Sequence, residues 1–468
     1  MAEPILHPDS DAPREVLEEG RLSRGFVGEV AAALDAGNDE AVRSLVAPLR
    51  PADIAELFGV LPEDDRAPLA RAIGEALDAE VIAELNDYVR EDVLAGMTVG
   101  AVADVVTQLD TDDAVAVIED LDDAEAERVL SALAPEDRAD IETALGYPEE
   151  SAGRLMQREL VAVPPDVTVG EAMTLIRATT DPATDFWEIF VIDERRHPIG
   201  TMRLSWLLTT PADIAVADVM QREQTLIPVT MDQEEVALQF QKYALISAAV
   251  VDEAGRLVGV ITVDDIVHII QEEAGEDALK LSGAGDGDIN EPIFETYKTR
   301  SRWLIANLGT AMISSSVIAA FEPTIEKLVV LAALTPIVAS VGGNAGTQTM
   351  AVAVRALATN QLTEANTRRT IWREIRVALL NGLTIAALLG TGTALVFGNP
   401  VLGLVIALAV LFNVLIAGLA GVLVPVALDR FGADPAVASS VFVTMTTDSM
   451  GFLAFLGLAT LIGVAPLN

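Results

Sequence analysis

From Arg300 onward charge almost vanishes from this chain, and the few charges that remain cut it into apolar runs of one recurring length. Trp303–Phe321 holds 19 uncharged residues between Arg302 and Glu322, and Leu328–Val354 holds 27 between Lys327 and Arg355. A helix needs roughly 20 apolar residues to cross a bilayer, so each run is long enough to be a span. The 52 uncharged residues of Val377–Leu428 exceed one crossing and are cut at Gly398-Asn399-Pro400, a helix stop. Spans near 377–397 and 401–428 result. A fifth, from Pro435 to about Gly463, is interrupted by a single acid, Asp448. Five crossings put the termini on opposite sides. Arg355, Arg368, Arg369, Arg373 and Arg376 join the second and third spans, and Lys298, Arg300 and Arg302 precede the first, so the positive-inside rule places both segments in the cytoplasm. The N-terminus and Asp429–Asp434 are then cytoplasmic, and Asn468 lies outside a multi-pass cell (inner) membrane protein.

The rest of the chain is strongly acidic. The sequence has 71 Asp+Glu against 30 Lys+Arg, net −41; nine basic and seven acidic residues lie from Arg300 on, which leaves net −43 in residues 1–299. Such a field repels nucleic acid. No cysteine is present, so disulfides and thiolate metal sites are excluded. Met1–Arg24 has no apolar run suited to secretion. His7, His197 and His268 are scattered with no nucleophile–base grouping, so an enzyme is not expected.

Residues 1–146 read as short amphipathic helices parted by Pro-acid breaks, as in Leu49-Arg-Pro-Ala-Asp-Ile, Leu61-Pro-Glu-Asp-Asp-Arg66 and Leu133-Ala-Pro-Glu-Asp-Arg138. Proline opening a helix with acids in its first turn suits the helix dipole. A repeat follows. Met156-Gln-Arg-Glu159 recurs as Met220-Gln-Arg-Glu223, offset by 64, while Phe190-Val-Ile-Asp-Glu194 matches Ala249-Val-Val-Asp-Glu253, offset by 59. The first copy carries about five extra residues near Thr180–Asp185. Each copy reads as strand, helix, strand, Asp-centred turn, strand, helix. This resembles a tandem pair of CBS domains, about 150–212 and 213–272. In such domains a Gly-x-x-Thr/Ser-x-x-Asp stretch often holds an adenosine ribose, which the resemblance places at Thr262 and Asp265; the bland alternative is a structural sheet-to-helix turn. The first copy has Arg203 and Trp206 at those positions.

A helix over 264–282 leads into a flexible stretch, 283–290, that completes a connecting segment to about residue 300. Glu272, Glu273, Glu276 and Asp277 fall on one face about 140° wide, with like charges at i,i+4. A bound cation would relieve that repulsion; a solvated acidic face is the other reading. In the fifth span Asp448 is flanked by Thr444, Thr446, Thr447 and Ser449, and a mid-bilayer carboxylate points to a wet cavity or an ion path unless it is a packed, protonated group. In the second span Pro336 and Gly342-Gly-Asn-Ala-Gly-Thr-Gln348 are expected to break or loosen the helix and expose carbonyls. The competing reading is a small-residue packing face, since Gly342 and Gly346 have Gly-x-x-x-Gly spacing.

Tyr147-Pro-Glu-Glu-Ser-Ala-Gly-Arg-Leu-Met156, Gly342–Gln348, Arg355-Ala-Leu-Ala358, Gly432-Ala-Asp-Pro435 and Thr447-Asp-Ser-Met-Gly451 together resemble the MgtE family of magnesium channels, over nearly the whole chain. The resemblance implies an α-helical membrane domain of five spans (301–468) joined to a cytosolic all-α N-terminal domain and α/β tandem CBS domains. It implies a homodimer in the lipid bilayer, a pore between the second and fifth spans of both subunits, and closure by cytosolic Mg²⁺. Asp448 then resembles the pore carboxylate, Asn344 and Gln348 lie beside it, and Asp434 is an inner-mouth acid facing Glu272, Glu273, Glu276 and Asp277. Asp112 and Asp113 are further sensor candidates, and ATP is a candidate regulator. Independently, Mg²⁺ favours carboxylate oxygens, and two copies of Asp448 on a two-fold axis would match its charge. A secondary transporter exchanging Mg²⁺ for Na⁺ or H⁺, and a membrane-anchored CBS receptor for nucleotide, are the alternatives.

Overall fold

A computed structural model of the chain describes residues 16–18, 21–179, 186–283, 289–363 and 365–463. The expected insertion at 180–185, most of the 283–290 stretch, His7 and Asn468 therefore lie outside the described residues. Two compact units are present, Met1–Gln271 and Glu272–Asn468.

In the first unit, short helices run from Arg24–Asp35 to Pro135–Leu145. The Pro-acid breaks start helices as read from the sequence. Pro51 is the first residue of Pro51–Val60, whose Asp53 accepts a hydrogen bond from the Arg50 amide at 3.3 Å. Glu63, Asp64 and Asp65 fill the first turn after Pro62, and Glu136 and Asp137 the first turn after Pro135. There they meet the positive end of the helix dipole. The apolar faces converge on one core, in which Leu57, Phe58, Leu69, Val81 and Ile82 are fully buried.

Two three-stranded sheets follow. Ala162–Val163 pairs parallel with Glu188–Ile192, which pairs antiparallel with Pro198–Arg203; Leu226–Pro228, Ser247–Val251 and Leu257–Thr262 repeat the arrangement. The register repeats too: Phe190 faces Thr201 as Ala249 faces Val260, and both sheets shift register at the same step. The repeated Met-Gln dipeptide has a reason that the sequence alone did not disclose. The copies exchange it. Gln157 trades two backbone hydrogen bonds with Val260 (2.8 and 2.9 Å), and Gln221 does the same with Thr201. Met156 thereby lies over Gly259 and Met220 over Gly200, where a Cβ would come within 2.6 and 2.8 Å of the sulfur.

The helix Val263–Ser282 runs across the boundary between the units. Among its described residues the second unit then has five helices long and apolar enough to cross a membrane: Ile293–Ala320, Val330–Ala358, Thr367–Phe397, Pro400–Arg430 and the fifth, Pro435–Ile462. The fourth is the hub, more buried than any other, with Leu402, Val405, Ile406, Ala409, Val410 and Asn413 sealed. Gly398, with φ of 61°, ends the third helix; Asn399 Oδ1 accepts from the amides of Val401 and Leu402, both at 3.1 Å, and Pro400 opens the fourth. One expectation is corrected. Gly342–Gln348 does not break the second helix, which is continuous from Val330 to Ala358. Its glycines are packing sites: a Cβ at Gly346 would lie 2.7 Å from a Val443 methyl, and one at Gly421 of the fourth helix would lie 2.9 Å from the Gly346 carbonyl oxygen. Close backbone approach holds the helix together, so no carbonyls need be released to a cavity.

Candidate ion path and acidic regulatory sites

Asp448 sits in the middle of the fifth helix with both neighbours engaged. Thr447 is fully buried and donates to the Thr444 carbonyl at 3.0 Å, and the Ser449 hydroxyl lies 3.1 Å from that of Ser314 on the first helix. Asp448 itself is half-buried, and among the described residues no side chain bonds or pairs with its carboxylate. On the second helix Asn344, Thr347 and Gln348 are exposed and fall on one stripe at helical spacing. The structure thus leaves two amides, and a Thr347 hydroxyl that donates to the Gly343 carbonyl at 3.0 Å, exposed on a helix otherwise suited to lipid. Polar groups at membrane depth need water or protein against them.

The N-terminal end of the fifth helix carries a second arrangement. Asp434 caps it, accepting from the Ala436 amide at 2.7 Å. The other Asp434 oxygen lies 3.4 Å from the ammonium of Lys280, which also pairs with Glu276 at 2.5 Å. Burial works to lower the Lys280 pKa, but the bond with Glu276 and then the charge of Asp434 prevail and raise it. A cation does bridge Glu276 and Asp434 here, and it is the protein's own. Sequence reasoning missed Lys280, although Glu276 and Lys280 stand at the i,i+4 spacing that favours a pair. Glu272 is exposed and Glu273 half-buried; the Asp277 side chain lies outside the described residues.

In the first unit the N-terminal turn of helix Thr111–Glu119 meets Glu159, which follows the Gln157 that pairs with Val260 of the second sheet. Thr111 Oγ1 donates to Glu159 at 3.0 Å. Asp112 Oδ1 is sealed from solvent without a hydrogen-bond partner. Burial, then Asp265, then Asp113 push Asp112 well above the carboxylate range. Burial, reinforced by Asp110, raises Asp113 to about 6. Asp265 rises to about 7 through burial, against the bond from Thr262 and with the help of Asp264 and Asp113. The structure therefore brings Asp112, Asp113 and Asp265 together, a grouping spread over more than 150 positions in sequence. Among the described residues no three His, Asp or Glu side chains converge tightly enough to enclose a metal as they stand.

Thr262 and Asp265, the ribose candidates, are occupied with each other at 2.8 Å, and Gln157 Nε2 donates to the same Asp265 oxygen at 3.3 Å. The cavity beside Thr262 has a volume of about 10 Å³, room for one water.

The raised carboxyls make a pH prediction. Their folded pKa values lie above the usual carboxylate value of 3.8, so the contact is most stable at low pH and weakens as pH climbs through about 6 to 7. In the full-length protein with chelator, amides of Thr111–Glu119 should exchange faster, beyond the intrinsic change, between about pH 5.5 and 8. Millimolar Mg²⁺ at the higher pH should restore protection. Exchange that ignores both pH and Mg²⁺ would show that the carboxyls are only packed acids.

Five apolar helices, a polar stripe on the second, an unpaired carboxylate within the fifth, and two repeated three-stranded sheets in the other unit define an integral membrane protein of the transport class. Three family descriptions match: a divalent cation transporter, MgtE, over residues 335–458; the MgtE intracellular N domain over 49–150; and a CBS domain over 216–272. The chain is 32% identical over 439 residues to the magnesium transporter MgtE of Thermus thermophilus, covering 92% of this chain and 97% of that one. It is 30% identical to the magnesium transporter MgtE of Bacillus subtilis, covering 89% and 93%. A crystal structure of the cytosolic domain of the Mg²⁺ channel MgtE in complex with ATP is similar at 29% identity and a TM-score of 0.48, over 52% of this chain and 99% of that one. The chain belongs to the MgtE family.

Proposed function

We propose that this chain is a Mg²⁺ channel for uptake, working as a homodimer in the cell membrane and closed by cytosolic Mg²⁺. The observation that carries the reading is that the second helix, with Asn344, Thr347 and Gln348 exposed, packs through Gly346 on Val443 and Thr447 of the fifth, the helix that holds half-buried Asp448. A second copy placed across it would cover the stripe, enclose water, and bring two carboxylates to one doubly charged ion. Mg²⁺ keeps most of its water, so amides and hydroxyls that bond to water are fitting walls. The name shared by the relatives supplies the ion.

Closure by Mg²⁺ draws on the two acidic arrangements. Asp112, Asp113 and Asp265 are crowded acids whose pKa values burial and mutual repulsion raise, a repulsion Mg²⁺ can relieve, and one continuous helix, Val263–Ser282, carries Asp265 near its start and Glu276 towards its end. Mg²⁺ favours the shut state in proportion to its differential affinity for it. Glu272, Glu273, Glu276, Asp277 and Asp434 act at the inner end of the fifth helix. The N-terminus is cytoplasmic on the arginine count of the second loop. ATP, the ligand in the relative's crystal structure, enters as a regulator only if Asp265 first releases Thr262.

The test is Mg²⁺ uptake into liposomes holding the purified protein, read with an entrapped indicator. Uptake without any imposed Na⁺ or proton gradient is expected, at a rate such gradients leave unchanged. Uptake that requires either gradient would make the protein a secondary transporter, and no uptake would overturn the reading.

A further inference from the structure

Between Val401 and Leu428 the fourth span contains a single amide or hydroxyl side chain, Asn413, and it is completely buried. Its Nδ2 donates to the carbonyl of Val338 on the second helix at 3.0 Å, while its Oδ1 has no partner. The amide is wedged between two glycines. A Cβ at Gly342 of the second helix would overlap it, and one at Gly451 of the fifth would come within 2.5 Å of its Nδ2. Gly342 stands two residues before Asn344, and Gly451 three residues after Asp448. One side chain of the hub helix thus touches both helices that bear the ion-path residues, within a turn of each.

We infer that Asn413 is a positioning residue for the ion path, fixing the second helix against the fifth so that Asn344 and Asp448 keep their spacing. This rests on the channel reading for its consequence, though not for its geometry. A filler role fits poorly. A leucine of similar size would fill the wedge without burying an unpartnered oxygen, which is unfavourable in an apolar interior. What the amide adds is a directional bond to a backbone carbonyl one turn before Gly342, at a level where the glycine leaves the second helix no side chain to set its distance.

The test compares Asn413→Leu with Asn413→Asp in the full-length protein. At membrane depth the aspartic acid stays neutral and keeps an O–H donor for Val338; leucine keeps only the shape. Asn413→Leu is expected to lower Mg²⁺ uptake by liposomes about tenfold and to narrow the preference for Mg²⁺ over Ca²⁺, with an unchanged melting temperature in detergent. Asn413→Asp should stay within about twofold of wild type. If the leucine variant fails to fold, Gly451→Ala, which pushes one methyl onto the amide, should act in the same direction. The chain has no cysteine, so a pair introduced at Met350 and Val443, which share a buried cluster, reports helix spacing without reference to transport. Its cross-linking rate should change several-fold with Asn413→Leu and not with Asn413→Asp. Those cross-linking results with no uptake by wild type would remove the channel reading and leave the positioning role standing. Equal behaviour of the leucine and aspartate variants in cross-linking and uptake would overturn it.

Discussion

Asp448→Asn should abolish Mg²⁺ uptake while leaving the protein folded and assembled. The amide is nearly isosteric, so Thr447 can stay packed on Gly346 and Ser449 can keep its contact with Ser314. Only the charge is lost. At about 4 Å and an effective dielectric near 20, one unit-charge pair is worth on the order of 4 kcal/mol, and the ion carries two charges against two carboxylates in a dimer. Even a fraction of that attraction, lost twice, lowers occupancy of the site enough for uptake to fall by about a hundredfold or more. Size-exclusion profiles and melting in detergent should match wild type. Wild-type uptake by this variant would return Asp448 to the role of a packed acid.

Neutralising Glu272, Glu273, Glu276 and Asp277 together should leave conduction intact and remove its sensitivity to cytosolic Mg²⁺. Lys280 sharpens the expectation. With Glu276 neutral, the Lys280 ammonium keeps Asp434, at 3.4 Å, so the N-terminal end of the fifth helix would lose both a carboxylate for the proposed ion and most of the bridge the protein supplies itself. Wild type should need more Mg²⁺ than a bare carboxylate pair would, because the ion must displace an ammonium held at 2.5 Å from Glu276. Patch recordings should show the quadruple variant open at Mg²⁺ concentrations more than about tenfold above those that close wild type. Closure over the unchanged range would show that this face is merely solvated.

Five long apolar helices were legible because charge is costly in lipid, and Arg302, Glu322, Lys327 and Arg355 delimit the first two uncharged runs. The CBS repeat was legible as paired offsets, 64 and then 59, and the sheets reproduce both. What the sequence could not disclose were relations between distant segments. Met156 and Gly259 look unrelated until the copies exchange Gln157 and Gln221. Gly342–Gln348 suggested a broken helix because glycine and proline weaken helices in isolation; packing against Asn413 and Val443 overrides that propensity. Asn413 had a signal, an amide alone in an apolar run, but its two glycine neighbours lie on other helices. Asp112 and Asp265 could be nominated singly by likeness, but their shared burial needs the fold.

The most direct measurement is the reversal potential of currents through the purified protein in a planar bilayer with Mg²⁺ gradients, alone and against imposed Na⁺ and proton gradients. A current that reverses at the Mg²⁺ equilibrium potential, ignores the other gradients, and closes as Mg²⁺ is raised on the side of the acidic domains is the expected result. A reversal potential that follows Na⁺ or protons, or the absence of any Mg²⁺ current from folded protein, would contradict it.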